Sequence, residues 1–153
     1  DTEDSVLGVV LARPSASMYD TLIIDVGSGS GVRKDNYVYI AGDIFIGKID
    51  EIYKKTSLVR LFSSPGEVTQ VGVGLESISA NAEGIGGGNF IVKLPRGIGI
   101  EEGDIVTMPD VSLKVFAVVE EIDVDPSDPF LTALFKNPVN INDIKWVQVI
   151  TNR

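Results

Sequence analysis

The chain of 153 residues contains no cysteine and no histidine. Without cysteine there is no disulfide, no thiolate nucleophile and no zinc-thiolate site, a usage that suits either the cytoplasm or a bacterial envelope. The missing histidine excludes more, because it removes the usual general base, the commonest transition-metal ligand and the middle member of a Ser-His-Asp triad. Positive charge is scarce as well: 13 Lys and Arg stand against 22 Asp and Glu, a net charge of −9. Nucleic acid is therefore set aside as a partner, since phosphate backbones and anionic headgroups are attracted by clustered Lys and Arg. No apolar run approaches the roughly 20 residues that cross a bilayer as a helix. The start of the chain, with Asp1, Glu3 and Asp4, is acidic where a signal peptide would be basic.

What is present reads as globular: 44% hydrophobic and 23% charged residues, with the apolar residues in short runs separated by Gly, Pro, Asn and Asp. Nearly every run alternates with period two or is β-branched, the signature of strands with one buried face. The spacing predicts strands over 6–12, 21–26, 37–41, 44–52, 57–62, 69–75, 90–94, 104–108, 113–122, 130–135 and 146–151. In the clearest of them Val71, Val73 and Leu75 alternate with Gln70, Gly72 and Gly74, so the first three are expected to bury. Turn chemistry separates the runs at Arg13-Pro14, Gly27 to Gly31, Ala41-Gly42-Asp43, Ser64-Pro65-Gly66, Gly86-Gly87-Gly88-Asn89, Asp125-Pro126 and Asn137-Pro138. Two stretches are ambiguous. Ile49, Ile52 and Tyr53 have helical spacing, but Lys54 to Ser57 reads as a hairpin tip and favours strand, while 130–135 is open to one turn of helix. The fold class is all-β: two small antiparallel barrels or sandwiches packed in tandem.

A faint internal echo supports two units. Val32 to Val38 is followed by Ile49-Asp50-Glu51-Ile52, and Ile100 to Val106 is followed by Val119-Glu120-Glu121-Ile122. Each pair sets a polar turn before a strand, then an apolar-acidic-acidic-apolar strand end. Two related units, or chance likeness between short strands, account for it. With the changeover in the Gly-rich stretch, the units are expected at 5–82 and 83–153, with the terminal strands free to cross between them.

Candidate chemistry is sparse. Gly84 to Asn89 invites comparison with a phosphate cradle, yet no Lys-Ser/Thr and no helix signal follow it, so a flexible hairpin or a link between units is the better reading. Asp123, Asp125 and Asp128 could hold Ca²⁺, but the spacing misses the EF-hand and Pro126 and Pro129 stiffen the loop. Glu101-Glu102 and Glu120-Glu121 do not converge if strand neighbours point to opposite faces. Ser63 and Ser64 have no histidine to activate them. No catalytic residue, metal site or cofactor is expected. The remaining lead is aromatic: Tyr37, Tyr39, Phe130 and Phe135 are expected as partner-binding residues, with core packing as the competing fate.

Within 13–61, Arg13 is followed by Ser17 and Tyr19, then by Leu22-Ile23-Ile24-Asp25-Val26-Gly27 with Gly31-Val32, by Ile46-Gly47-Lys48-Ile49 with Glu51-Ile52, and by Ser57, Val59 and Leu61. In this order and spacing the stretch resembles the first half of the MreC family of rod shape-determining proteins, which has an Arg, a Ser before an aromatic, and the patterns L-x-I-D-x-G…G-V, V-G-K/R-V-x-E-V and S-x-V-x-L. Later, Gly103 to Thr107 is similar to G-D-x-V-x-T. After it the family continues with Ser-Gly and a Phe-Pro-x-Gly turn, whereas this chain has Met108-Pro109-Asp110 and then Val115 to Val118, so the loop is built differently.

The resemblance implies a pair of small barrels at the extracytoplasmic face of the cytoplasmic membrane, preceded by a transmembrane anchor and a coiled coil. It implies a non-enzymatic scaffold that self-associates and contacts a class B penicillin-binding protein and the membrane protein MreD in peptidoglycan elongation. Such a scaffold is expected to leave at least one long strand edge open for a partner. Two other readings stay open: a barrel adaptor of an envelope transport or secretion complex, and a carboxylate-based hydrolase on a protease-like double barrel.

Overall fold

In a computed structural model that describes residues 4–14, 19–109 and 114–152, twelve strands form one continuous pairing network. They are β1 (Ser5–Ala12), β2 (Thr21–Ile24), β3 (Tyr37–Ile40), β4 (Ile44–Ile52), β5 (Ser57–Leu61), β6 (Val68–Val73), β7 (Ile78–Gly86), β8 (Asn89–Pro95), β9 (Ile105–Thr107), β10 (Val115–Val124), β11 (Phe130–Lys136) and β12 (Trp146–Ile150). Helix among the described residues is confined to two three-residue 3-10 turns, and none is long and apolar enough to cross a membrane. Ser17 and residues 110–113 of the divergent loop lie outside the described residues.

The network closes twice. Around the first circuit the order is β4-β3-β12-β1-β2-β5, with β5 returning to β4; around the second it is β10-β9-β6-β7-β8-β11, with β11 returning to β10. Thus β6, which lies inside the 5–82 stretch, and β7, which crosses its end, pair in the second barrel, and β12 pairs between β1 and β3 of the first. Among the described residues one parallel bridge, between Val115 and Ile44, joins the barrels. Each described strand has a neighbour on both sides, so no whole strand is left as the open edge expected from the sequence; β7 meets β8 only over Glu83–Gly86, and its Ile78–Ala82 has no pairing partner on that side among the described strands. Closure satisfies the ladder groups that an edge would leave bare.

The echo in the sequence corresponds to a repeated turn. Asp35 N donates to Ile49 O and Ile49 N to Asn36 O; in the second barrel Gly103 N donates to Val119 O and Val119 N to Asp104 O. The side chains repeat too: Asn36 Oδ1 accepts from Arg33 N at 2.7 Å, and Asp104 Oδ2 from Glu101 N at 2.8 Å. Asp35 and Gly103 share positive φ, 69° and 92°. With β12 standing where β6 stands, the two circuits have the same strand order.

Alternation fills each barrel. Leu22, Ile24, Val38, Ile49, Val59, Val147 and Val149 make the first core, and Val71, Val73, Phe90, Val92, Phe116, Val119, Ala133 and Phe135 the second. Strand β7 is absent from the sequence reading because Ser, Ala, Asn, Glu and Gly are poor strand formers. Its inward positions, Ala80, Ala82 and Gly84, are small and buried, which lets neighbouring chain approach closely. Leu75 corrects the alternation reading: it is fully exposed in the turn after β6, where Gly74 has φ 73°.

Candidate interaction surfaces

The four aromatic residues singled out in the sequence are not brought together. Tyr37 and Tyr39 are half-buried on the outer side of β3, where it faces the second barrel. Tyr37 meets Phe45 edge-on at 5.5 Å and Phe62 at 6.1 Å, and Tyr39 meets Phe45 at 6.5 Å. The Lys114 ammonium sits 4.5 Å above the Tyr39 ring and 3.9 Å from Asp43. Their surroundings are thus the joint between the barrels. Phe135 is fully buried in the second core, and Phe130 is 49% exposed at the start of β11.

A polar clamp holds the same joint. Asp20, just ahead of β2, accepts from Ser63 Oγ at 3.0 Å and from Gly87 N at 2.8 Å, both on Oδ2. Ser64 Oγ donates to Asp20 O and accepts from Asp20 N. The glycine run of 84–89 covers the end of β7, the Gly87-Gly88 turn and the start of β8, and Gly88 O accepts from Asn137 N. Its backbone is therefore engaged by a carboxylate and an asparagine of the same chain, as a docked hairpin. Nearby, Arg60 bonds Asp50 at 2.9 Å and Glu67 at 3.3 Å, with its guanidinium 4.1 Å from the Tyr19 ring centre. Partial burial pulls that guanidinium down, but the bond and charge of Asp50, then Glu67, outweigh it and raise it above its ordinary value.

Between the barrels lies a cleft of about 230 Å³, lined by Tyr37, Lys48, Phe62, Glu67, Gln70 and Met108 among others. No group of three potential metal ligands gathers among the described residues. Asp125 and Asp128 instead cap the β10–β11 turn, accepting from Ser127 N and Oγ and from Phe130 N. Glu120 and Glu121 depart from the strand-neighbour argument: a bulge between Val119 and Glu121 leaves both exposed.

Two outer faces carry apolar side chains that the sequence reading did not single out. On the first barrel Leu7 and Leu11 of β1 and Trp146 of β12 are 53%, 57% and 57% exposed, and Val9 is Trp146's pairing partner. An open groove of about 490 Å³ beside Trp146 is lined by Ile40, Val139 and Ile144. The signal was present: in Val6 to Leu11 both alternating sets are apolar, so one set must face outward. On the second barrel one row crosses four strands, Glu121-Leu134-Ile91-Glu83 in pairing order. Charge differs sharply between the barrels. Residues 63–142 hold twelve of the 22 acidic and four of the 13 basic residues, a net of −8, and the rest of the chain is close to neutral.

Fold and surfaces together define a tandem of closed barrels that presents faces, with interlocked polar groups at its joint. The sequence model described as "Rod shape-determining protein MreC, barrel core" matches residues 10–151. The chain belongs to this MreC family. Among solved structures it is similar to MreC from Pseudomonas aeruginosa, at 19% identity and a TM-score of 0.89, covering 97% of this chain and 99% of that one. It is also similar to a structure described as the major periplasmic domain from the cell shape-determining filament MreC, at 15% identity and TM-score 0.72, covering 98% of each chain. A third is the complex between penicillin-binding protein (PBP2) and MreC from Helicobacter pylori, at 13% identity and TM-score 0.64, covering 99% of this chain and 100% of that one. A search of curated proteins finds no match.

Proposed function

We propose that this chain is a non-enzymatic scaffold in cell-shape determination, held at the extracytoplasmic face of the cytoplasmic membrane, that organises the peptidoglycan elongation machinery. Its partners in this reading are a class B penicillin-binding protein, MreD and further copies of itself. The observation that carries the proposal is the match to the family's barrel core over residues 10–151. The likeness to an MreC solved with PBP2 supports the choice of partner, and the likeness to a periplasmic MreC domain supports the compartment. A chain without histidine or cysteine fits a role in holding partners better than one in turnover. In this reading Phe130 offers its ring directly, Tyr37 offers an edge at the inter-barrel cleft, and Tyr39 and Phe135 support those surfaces from within.

Cross-linking in cells followed by purification of the tagged protein tests the proposal. A class B penicillin-binding protein and MreD are expected among the recovered proteins. Recovery of transport or secretion subunits, with no transpeptidase, would replace the reading with that of an envelope adaptor.

A further inference from the structure

We infer that the outer face of the second barrel formed by β7, β8, β11 and β10 is a docking site for a cationic amphipathic α-helix of a partner protein. The inference deepens the scaffold reading by giving one partner segment its chemistry. Its first support is the cross-strand row Glu121-Leu134-Ile91-Glu83. Neighbouring strands lie about 4.8 Å apart, so the two carboxylates are roughly 14 Å from each other with two apolar side chains between them. A helix with its side chains is about 10–12 Å across. One helix laid along β8 and β11 would set its apolar stripe on Ile91 and Leu134 and its flanking Lys or Arg against Glu83 and Glu121.

The spacing along the strands agrees. Four residues beyond Ile91 and Leu134, the next outward apolar pair is Pro95 with Phe130, themselves pairing partners. At about 3.3 Å per residue the two pairs are roughly 13 Å apart, and helix positions eight residues apart are about 12 Å apart. Between the pairs Thr132 and Lys93 face each other, with Asp123 beside Thr132. Lys93 specifies that the occupant carries no basic residue at its centre. Ile85, 48% exposed on β7, extends the apolar strip at its other end. The second support is charge. A net of −8 on residues 63–142 draws a cationic segment toward this barrel and repels an acidic one. Every described strand already has a neighbour on both sides, which favours a mode in which a helix lies on side chains over one that adds a whole strand.

The test uses ¹⁵N-labelled protein and a synthetic 18-residue helical peptide with a leucine stripe flanked by lysines; a counterpart with glutamates in place of the lysines is the control. Chemical-shift changes are expected to concentrate on β7, β8, β11 and the outer half of β10 with the first peptide and to be absent with the second. Glu83→Lys combined with Glu121→Lys should weaken binding at least tenfold, and Leu134→Asp should do likewise, each with an unaltered circular dichroism spectrum. Glu101→Lys combined with Glu102→Lys changes net charge equally at another site and should leave binding within twofold. Absent binding, shifts centred elsewhere, or equal weakening by both charge reversals would overturn the inference. Because the peptide is independent of any penicillin-binding protein, loss of the scaffold reading in the cross-linking experiment and loss of this docking face are separate results.

Discussion

Replacing Gly84 by alanine presses on the joint between the barrels. A Cβ on Gly84 would lie 2.4 Å from Ser64 O, 2.6 Å from Ser63 C and 2.7 Å from Ser63 O, all backbone atoms and all nearer than such atoms come. The linker cannot retreat without consequence, because Gly86 N donates to Ser63 O at 2.7 Å and Gly66 N to Gly84 O at 3.0 Å. Overpacking of this kind costs about 1–3 kcal/mol, and one weakened backbone bond adds about 1 kcal/mol. Relief of glycine's unfolded-state entropy returns roughly 0.5–1 kcal/mol. The net is about 1–3.5 kcal/mol, which for a chain of this size lowers the melting temperature by roughly 2–14 °C. Gly99→Ala is the control, since nothing lies within 4 Å of its added Cβ and its φ is not positive; it should stay within about 0.5 kcal/mol of the parent. Urea unfolding followed by far-ultraviolet circular dichroism measures both. If the Gly84→Ala midpoint coincides with that of the parent, the account of the joint is wrong.

Phe135→Ala should cost about 3–5 kcal/mol, the usual range for emptying a fully buried phenylalanine site, whereas Phe130→Ala should change stability by less than about 1 kcal/mol; the same urea titration separates them. Asp20→Ala removes the acceptor shared by Ser63 and Gly87, at about 1–2 kcal/mol for a partly exposed charged bond. Faster amide exchange at Gly87 should accompany it, and unchanged exchange there would dismiss the clamp. Asp125 is held below its ordinary value of 3.8 by the Ser127 N–H and then the Ser127 hydroxyl. Its contribution to stability is therefore complete above that value and fades as pH falls through the lower folded-state value. A carboxyl-carbon NMR titration should find its midpoint under 3.8, and Ser127→Ala should move the midpoint part of the way back.

Much of the fold was legible because a closed barrel writes its inside and outside directly into alternation. Leu22 and Ile24, Val38 and Ile40, and Val71 and Val73 are buried as their spacing requires. Strand β7 escaped because its inward residues are chosen for closeness of approach, as the Gly84 contacts show, and local propensity carries no such information. Closure is illegible for a related reason: pairing across the chain, β5 to β4 and β11 to β10, decides it, and no single segment carries that information. Surfaces were the least legible. Tyr37 looks like any outward aromatic until the second barrel is placed against it. Ile91 and Leu134 stand 43 positions apart, and only the β8–β11 register makes them neighbours.

The place of β12 sets a timetable. β1 to β5 precede β6 to β11 in the chain, yet β12, the strand that completes their circuit, follows both groups. The six strands β6 to β11, in contrast, follow one another without interruption and can close among themselves. The second circuit can therefore close before the first, and Phe45 and Ile150 of the first pack against its core. Premature termination after residue 145 would strand β1 and β3 with bare backbone on facing sides, a gap that invites pairing with foreign chains. Closure of the first barrel thus waits on the segment Trp146–Ile150, far in sequence from the strands it joins.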